Sequence, residues 1–286
     1  MKLSKKGIIA IVIIALVVLG SAIGFLIWKA QPKGATVAVS ILPDSLNPVL
    51  EQNTSGLNAD ELLFDGLVNF EVDKASGSLY SELALAESIV QNPVDKKTYT
   101  VMLRDVMWHD GTPVTSDDIV YSFAAYTLEA NNSPKRDYLM SFIKEVTALD
   151  EKTVKIEFIN PIPEFRAYPV LTFKIVPSRY NGQEMQVNMR AGENERKFAT
   201  APVGTGPFKL ATWEIGKWLT FDANGTYFKN TPQTTSLVMK RVIDPIIRMN
   251  EMRQGRVNLI LETNPLDRTE VAKIPNVEIN SYIPYA

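Results

Sequence analysis

Residues 8–28 form an unbroken run of 21 positions without a charged side chain. At ~1.5 Å rise per residue a helix over them reaches ~31 Å, about the thickness of a bilayer core. Whatever else the chain builds therefore follows a segment suited to lipid. Lys2, Lys5 and Lys6 precede the run, and basic residues tend to stay on the cytoplasmic side. Everything after Lys29 is then expected outside, with Trp28 at the outer interface. A cleaved secretory leader is the competing reading, but it needs a small-x-small cleavage site. The alanine just beyond the run, Ala30, has Trp28 two residues before it. Residues 1–30 are accordingly expected to be an uncleaved single-pass anchor, with the globular part extracytoplasmic, in the periplasm or at the cell surface.

No cysteine occurs in the chain. That excludes lipidation at a cysteine, disulfides, thiolate nucleophiles and cysteine-ligated metals. The exported part must hold together through its core, and with 45% hydrophobic residues the sequence supplies one. Beyond Ala30 there are 26 basic against 32 acidic residues, a net of −6. A mildly acidic surface with no basic stripe argues against nucleic-acid binding.

After Gln31-Pro32-Lys33-Gly34 the pattern turns to short strands, helices and turn clusters, without repeats, and reads as compact α/β or α+β. Tyr99, Val101 and Leu103 alternate with Thr100 and Met102; Val154, Ile156 and Phe158 alternate with Thr153, Lys155 and Glu157. A period of two predicts half-buried strands. Between them Thr115-Ser116-Asp117-Asp118 offers a cap hydroxyl with an acid three residues on, followed by Ile119, Phe123, Tyr126 and Ala130 on one helical face. Near the end, residues 237–243 read as a strand, Asp244-Pro245 as a helix start, Gly255 as its stop and residues 257–261 as a second strand. That β-α-β unit predicts a parallel pair with a right-handed crossover. Two polar stretches, residues 131–136 and 181–197, could border a cleft, the second reading as a plain solvated loop.

Catalytic chemistry finds little support. His109 is the single histidine, which supplies neither a zinc cluster nor a triad. Asp117 and Asp118 are adjacent, so on a helix they point about a hundred degrees apart, and acids in a first turn suit the helix dipole. Gly204-Thr205-Gly206 lacks a third glycine at dinucleotide spacing and is followed by Pro207, so it reads as a tight turn and not a phosphate cradle. No Gly-x-Ser-x-Gly, His-Glu-x-x-His or Walker pattern occurs. No catalytic residue, metal site or cofactor is expected.

Four segments in order carry a resemblance. They are Ser45-Leu46-Asn47-Pro48 with Leu63-Phe64-Asp65-Gly66-Leu67-Val68; residues 83–89 leading into residues 99–104 and residues 108–118; Pro202-Val203-Gly204-Thr205-Gly206-Pro207-Phe208 with residues 224–232; and Arg241-Val242-Ile243 through Met252-Arg253-Gln254-Gly255. Together they resemble the extracellular solute-binding proteins of family 5, receptors for oligopeptides, dipeptides, nickel chelates and related solutes. The resemblance covers residues 37–286. It implies an α/β, periplasmic-binding-protein-like fold of type II: a first ligand-binding lobe from residues 37–63 and 158–286, an accessory domain from residues 64–157, and an anchor at residues 1–30.

Such receptors are roughly twice this long, so the C-terminal lobe is expected to be absent and could be separately encoded. The resemblance further implies capture of a small solute, a peptide, between lobes, for an ABC permease and ATPase. Glu51, Gln52, Asn53 and Thr54 stand where relatives line the cleft. Lys135 stands where peptide receptors present an aromatic residue over the ligand, and Thr205 and Gly206 lie in a turn beside the cleft or hinge. A truncated or diverged receptor serving as a membrane-tethered sensor or interaction module is the alternative. A hydrolase would need an activated nucleophile that the sequence does not display.

Overall fold

A computed structural model describes residues 34–73, 76–261 and 268–279. The expected anchor lies outside the described residues. Among those described, no helix is long and apolar enough to cross a membrane.

Two sheets organise the chain. The first has five strands in the order β10-β11-β12-β1-β13: β10 (Phe208–Glu214), β11 (Trp218–Ala223), β12 (Ser236–Arg241), β1 (Gly34–Val39) and β13 (Leu259–Ile260). The run Val37, Ala38 and Val39 is buried on both faces, as a strand with neighbours on either side requires. β1 pairs in parallel with β12 (Val37 opposite Met239) and with β13 (Val37 opposite Leu259). The two strands flanking α6 (Pro245–Arg253) are therefore both parallel to β1 but do not touch, which corrects the expected pairing. The local signals of that unit do hold. Asp244 caps α6, accepting from the N–H groups of Ile246 and Ile247, Pro245 opens it, and Gly255 follows it at φ +68°.

The second sheet is antiparallel, in the order β4-β5-β7-β6, built from β4 (Ala86–Gln91), β5 (Thr98–Leu103), β7 (Thr153–Phe158) and β6 (Ile143–Ala148). Tyr99, Val101 and Leu103 of β5 and Val154, Ile156 and Phe158 of β7 are buried, as their alternation predicts, and the Tyr99 and Phe158 rings meet edge-on at 5.3 Å. A hairpin of β2 (Val68–Val72) and β3 (Leu79–Leu83) stands apart.

The helix α2 (Ser116–Thr127) carries the expected capping box at Thr115 and Asp118. Its carboxylate reaches further than a cap. Asp118 accepts from the Thr115 N–H at 2.9 Å and from Trp108 Nε1 at 3.2 Å, and its other oxygen takes the Ser178 N–H and hydroxyl, each at 2.7 Å. The helix ends at Thr127 because Leu128 turns extended, so Ala130 falls in a short 3₁₀ turn and is exposed, not on the buried face. Thr115→Ala keeps its N–H on Asp118 and should cost ~1 kcal/mol or less in urea unfolding.

The stretch 181–197 is not a plain solvated loop: β9 (Gln183–Glu184) pairs with β8 (Arg179–Tyr180), and α5 (Glu193–Phe198) follows. Met185 and Met189 are buried, and fully buried Asn131 holds the segment, donating to the Val187 carbonyl at 2.8 Å and accepting from the Met189 N–H. One continuous buried core joins Val37 and Phe221 of the first sheet to Tyr99 and Ile156 of the second. Leu63 and Phe64, at the end of α1 (Thr54–Leu63), lie within it.

Candidate functional site

α1 is the spine of the candidate site. Its inward stripe is Ser55, Gly56, Ala59, Asp60 and Leu63, spacings of one, three and four that fit one helical face. Before it, Asn47 folds the Leu-Asn-Pro turn: its carbonyl accepts from the Leu50 and Glu51 N–H groups and its side-chain oxygen from Val49. The turn aims Glu51 inward. The carboxylate of Glu51, 4% exposed, accepts from the N–H groups of Gln52 and Asn53, both at 2.8 Å, and packs on Gly56, where a Cβ would lie 2.1 Å from its carboxyl carbon. Asn53 caps α1, accepting from the Gly56 N–H at 2.7 Å. Gln52 and Thr54 face solvent.

Asp60 lies one and a half turns on, 2% exposed, and one of its oxygens has no protein partner. Burial drives its pKa well above the usual carboxylate range; the charge of Glu51 pushes the same way, while Lys174 and Lys135 oppose. Burial lowers the ammonium pKa of Lys135, with Lys174 adding to the effect and Glu61 and Asp60 offsetting it. Lys174 is itself buried and is fixed by a 2.7 Å ion pair to Glu61. Glu51 and Lys135, 84 positions apart, thus act on the same buried carboxylate. Asp60 and Lys174 were not singled out from the sequence, although the inward stripe of α1 runs through Asp60.

The other end of α1 is clamped by the Gly204-Thr205-Gly206 turn. The Gly206 N–H donates to the Leu63 carbonyl at 2.9 Å, and a Cβ on Gly204 would stand 1.8 Å from that same oxygen. Thr205 is 1% exposed; its hydroxyl donates to Asp65 at 2.9 Å and accepts the Asp65 N–H at 3.2 Å. The Asp65 carboxylate also accepts from Asn69 Nδ2 at 2.7 Å and from the Tyr227 hydroxyl at 2.9 Å. Thr205 and Gly206 are therefore sealed beneath the end of the spine, whereas Glu51 and Asn53 lie at its start and Lys135 stands near Asp60 and Glu61 in its second half.

His109 straps this turn down. Its Nδ1 accepts the Gly204 N–H at 3.2 Å, so the proton sits on Nε2, which donates to the Gly206 carbonyl at 3.0 Å. Both nitrogens face backbone, and burial lowers the pKa to about 4. A depressed histidine pKa contributes stability above the unfolded value near 6.5, and that contribution is lost as pH falls from about 6.5 to about 4. Its full size is about 3 kcal/mol. The raised pKa values of Glu51, Asp60 and Asp65 act in the opposite sense, favouring the fold as pH falls. The difference between the wild type and His109→Gln isolates the histidine. Chemical denaturation at pH 7.5 and pH 4.5 should show the variant losing less stability than the wild type.

Among the described residues, no group of three or more His, Asp or Glu side chains could hold a metal ion.

Comparison with known proteins follows the same lines. The model of the bacterial extracellular solute-binding proteins, family 5 (Middle), matches residues 82–286. The chain is 31% identical over 224 residues to Protein XP55 of Streptomyces lividans, covering 78% of this chain and 38% of that protein. It is 28% identical over 220 residues to the oligopeptide-binding protein OppA of Bacillus subtilis, covering 70% of this chain and 38% of OppA. Among solved structures, NikZ of Campylobacter jejuni in complex with Ni(L-His) superposes with a TM-score of 0.71 at 27% identity, over 86% of this chain and 46% of NikZ. The chain thus spans less than half the length of these relatives.

Proposed function

Given that this chain belongs to the bacterial extracellular solute-binding proteins of family 5, we propose that it binds a small extended solute, a peptide, outside the cytoplasm for an ABC import system. It would contribute one wall of the binding cleft and deliver the solute to a permease driven by its ATPase. The observation carrying this reading is the row of Glu51, Asp60, Lys135 and Lys174 along α1, which begins at the exposed Gln52 and Thr54. Charges of both signs, desolvated next to solvent-facing amide and hydroxyl groups, suit the charged ends and backbone of a peptide. Lys135 in place of an aromatic residue favours a solute with an anionic group there.

Residues 37–63 and 158–286 form the first lobe in this reading, and residues 64–157 the accessory domain, the latter supported by the separate antiparallel sheet of β4 to β7. Thr205 and Gly206 act on the solute through the shape of the wall. The uncharged run 8–28 tethers the receptor to the membrane, supported by its length and the lysines before it.

Contact between a solute and this wall is best trapped covalently. A photo-crosslinking amino acid at position 52 or 54, irradiated with a mixture of di- to hexapeptides, should label far more peptide than one at Val94, which is 90% exposed on the β4–β5 turn. Lys135→Glu should suppress that labelling. Labelling at positions 52 and 54 no greater than at position 94 would remove the wall from the account.

A further inference from the structure

A second concavity has a different character. A groove of about 1110 Å³ lies between the β2–β3 hairpin, α3 (Arg136–Phe142) and α4 (Glu164–Val170). Phe70, Tyr80, Tyr138, Phe165 and Tyr168 line it, so each of the three elements contributes an aromatic ring. Phe165 is 76% exposed, and Tyr80 and Tyr138 are each 48% exposed. α4 already has a buried face in Ala167 and Val170. Its apolar residues on the opposite face, Phe165 and Tyr168, are therefore not needed to seat the helix, and clustered exposed apolar side chains mark binding surfaces.

Glu164 is the one ionisable carboxylate in this lining, and no basic residue lines the groove among the described residues. Its carboxylate accepts the Tyr168 hydroxyl, which fixes it at the groove wall. The hairpin presents two faces. Phe70 opposes Ser81 and Val72 opposes Leu79 on the groove side, while Tyr80 opposes Glu71 on the other, where Glu82 also lies and Lys229 joins Glu71 and Glu82 at 3.1 and 2.6 Å. An anionic, aromatic-walled trough with no competing cation is complementary to an ammonium or guanidinium held between apolar groups, through cation–π and carboxylate contacts together.

We propose that this groove binds a short extended peptide segment in which a basic residue is flanked by apolar ones, with Glu164 pairing the basic side chain and Phe165, Phe70 and Tyr138 flanking it. The site is separate from the wall around Glu51 and Lys135 and does not rest on that reading.

Peptides with blocked termini separate the two, since they lack the terminal charges that the first wall suits. The full 286-residue chain in lipid nanodiscs would be titrated calorimetrically with acetyl-Leu-Lys-Leu-amide and acetyl-Leu-Glu-Leu-amide. The lysine peptide should bind about ten-fold tighter; Glu164→Gln should bring the two within about two-fold, and Phe165→Ser should weaken both by about five-fold or more. Both side chains are exposed, and unchanged thermal unfolding would verify that the variants fold. Lys135→Glu should leave the lysine peptide's affinity in place. Failure of either peptide to bind, or a lysine preference that survives Glu164→Gln, would overturn the assignment. So would a dimer in sedimentation that Phe165→Ser dissolves, because the groove would then be occupied by a second copy of the chain.

Discussion

Asp65→Ala is expected to cost on the order of 3–5 kcal/mol. The aspartate lies 1% exposed and accepts from Asn69, Tyr227 and Thr205, which come from three separate stretches of sequence. Truncation leaves three donors without their acceptor. For a folded unit of this size the loss corresponds to a fall in melting temperature of about 10 °C. Asp65→Asn sharpens the test. Its amide oxygen can keep Asn69 and Tyr227 while its NH₂ turns to Thr205, whose oxygen can accept, so at least half of the lost stability should return. Equal losses in the two variants would mean that the negative charge, and not the pattern of donors, holds the site.

The second large effect is steric. Alanine at Gly204 would place its Cβ 1.8 Å from the Leu63 carbonyl oxygen and 3.1 Å from the Phe64 ring. A backbone carbonyl cannot rotate away as a side chain does, and this one also receives the Gly206 N–H. The turn must lift off the end of α1, taking the His109 contacts with it, at a cost of about 3 kcal/mol. Gly225→Ala is the control: a Cβ there meets nothing within 4 Å, so it should be neutral or slightly stabilising. Similar melting temperatures for the two variants would show that the turn yields more easily than its packing implies.

What the sequence disclosed and what it hid divide by range. The strands at Tyr99 and Val154, the start of α2 at Thr115 and the Asp244-Pro245 opening of α6 were all legible, because each depends on residues a few positions apart. The placement of β1 between β12 and β13 was not, since nothing in Gly34–Val39 encodes partners two hundred residues away. The same holds within the candidate site. Glu51 and Lys135 could be marked by resemblance, but their common neighbour Asp60 reads as an ordinary helix acid until the inward stripe is drawn. Lys174 stands in the apolar run Leu171-Thr172-Phe173-Lys174-Ile175-Val176, where a lone base suggests a side chain reaching for solvent; its pairing with Glu61 depends on a helix 113 positions earlier.

The position of β1 also dictates an order of assembly. The first described strand is completed on one side only by residues 236–241 and on the other only by residues 259–260. As the chain emerges, Gly34–Val39 has both edges open until residues 236–241 and 259–260 have arrived, and contacts so distant along the chain form slowly. Throughout that interval the nascent polypeptide presents an apolar ribbon with unpaired backbone groups, the kind of surface that recruits neighbouring chains. Synthesis halted before Ser236 would leave that ribbon bare for good, making early stalling a route to aggregates and giving a holdase something to shield.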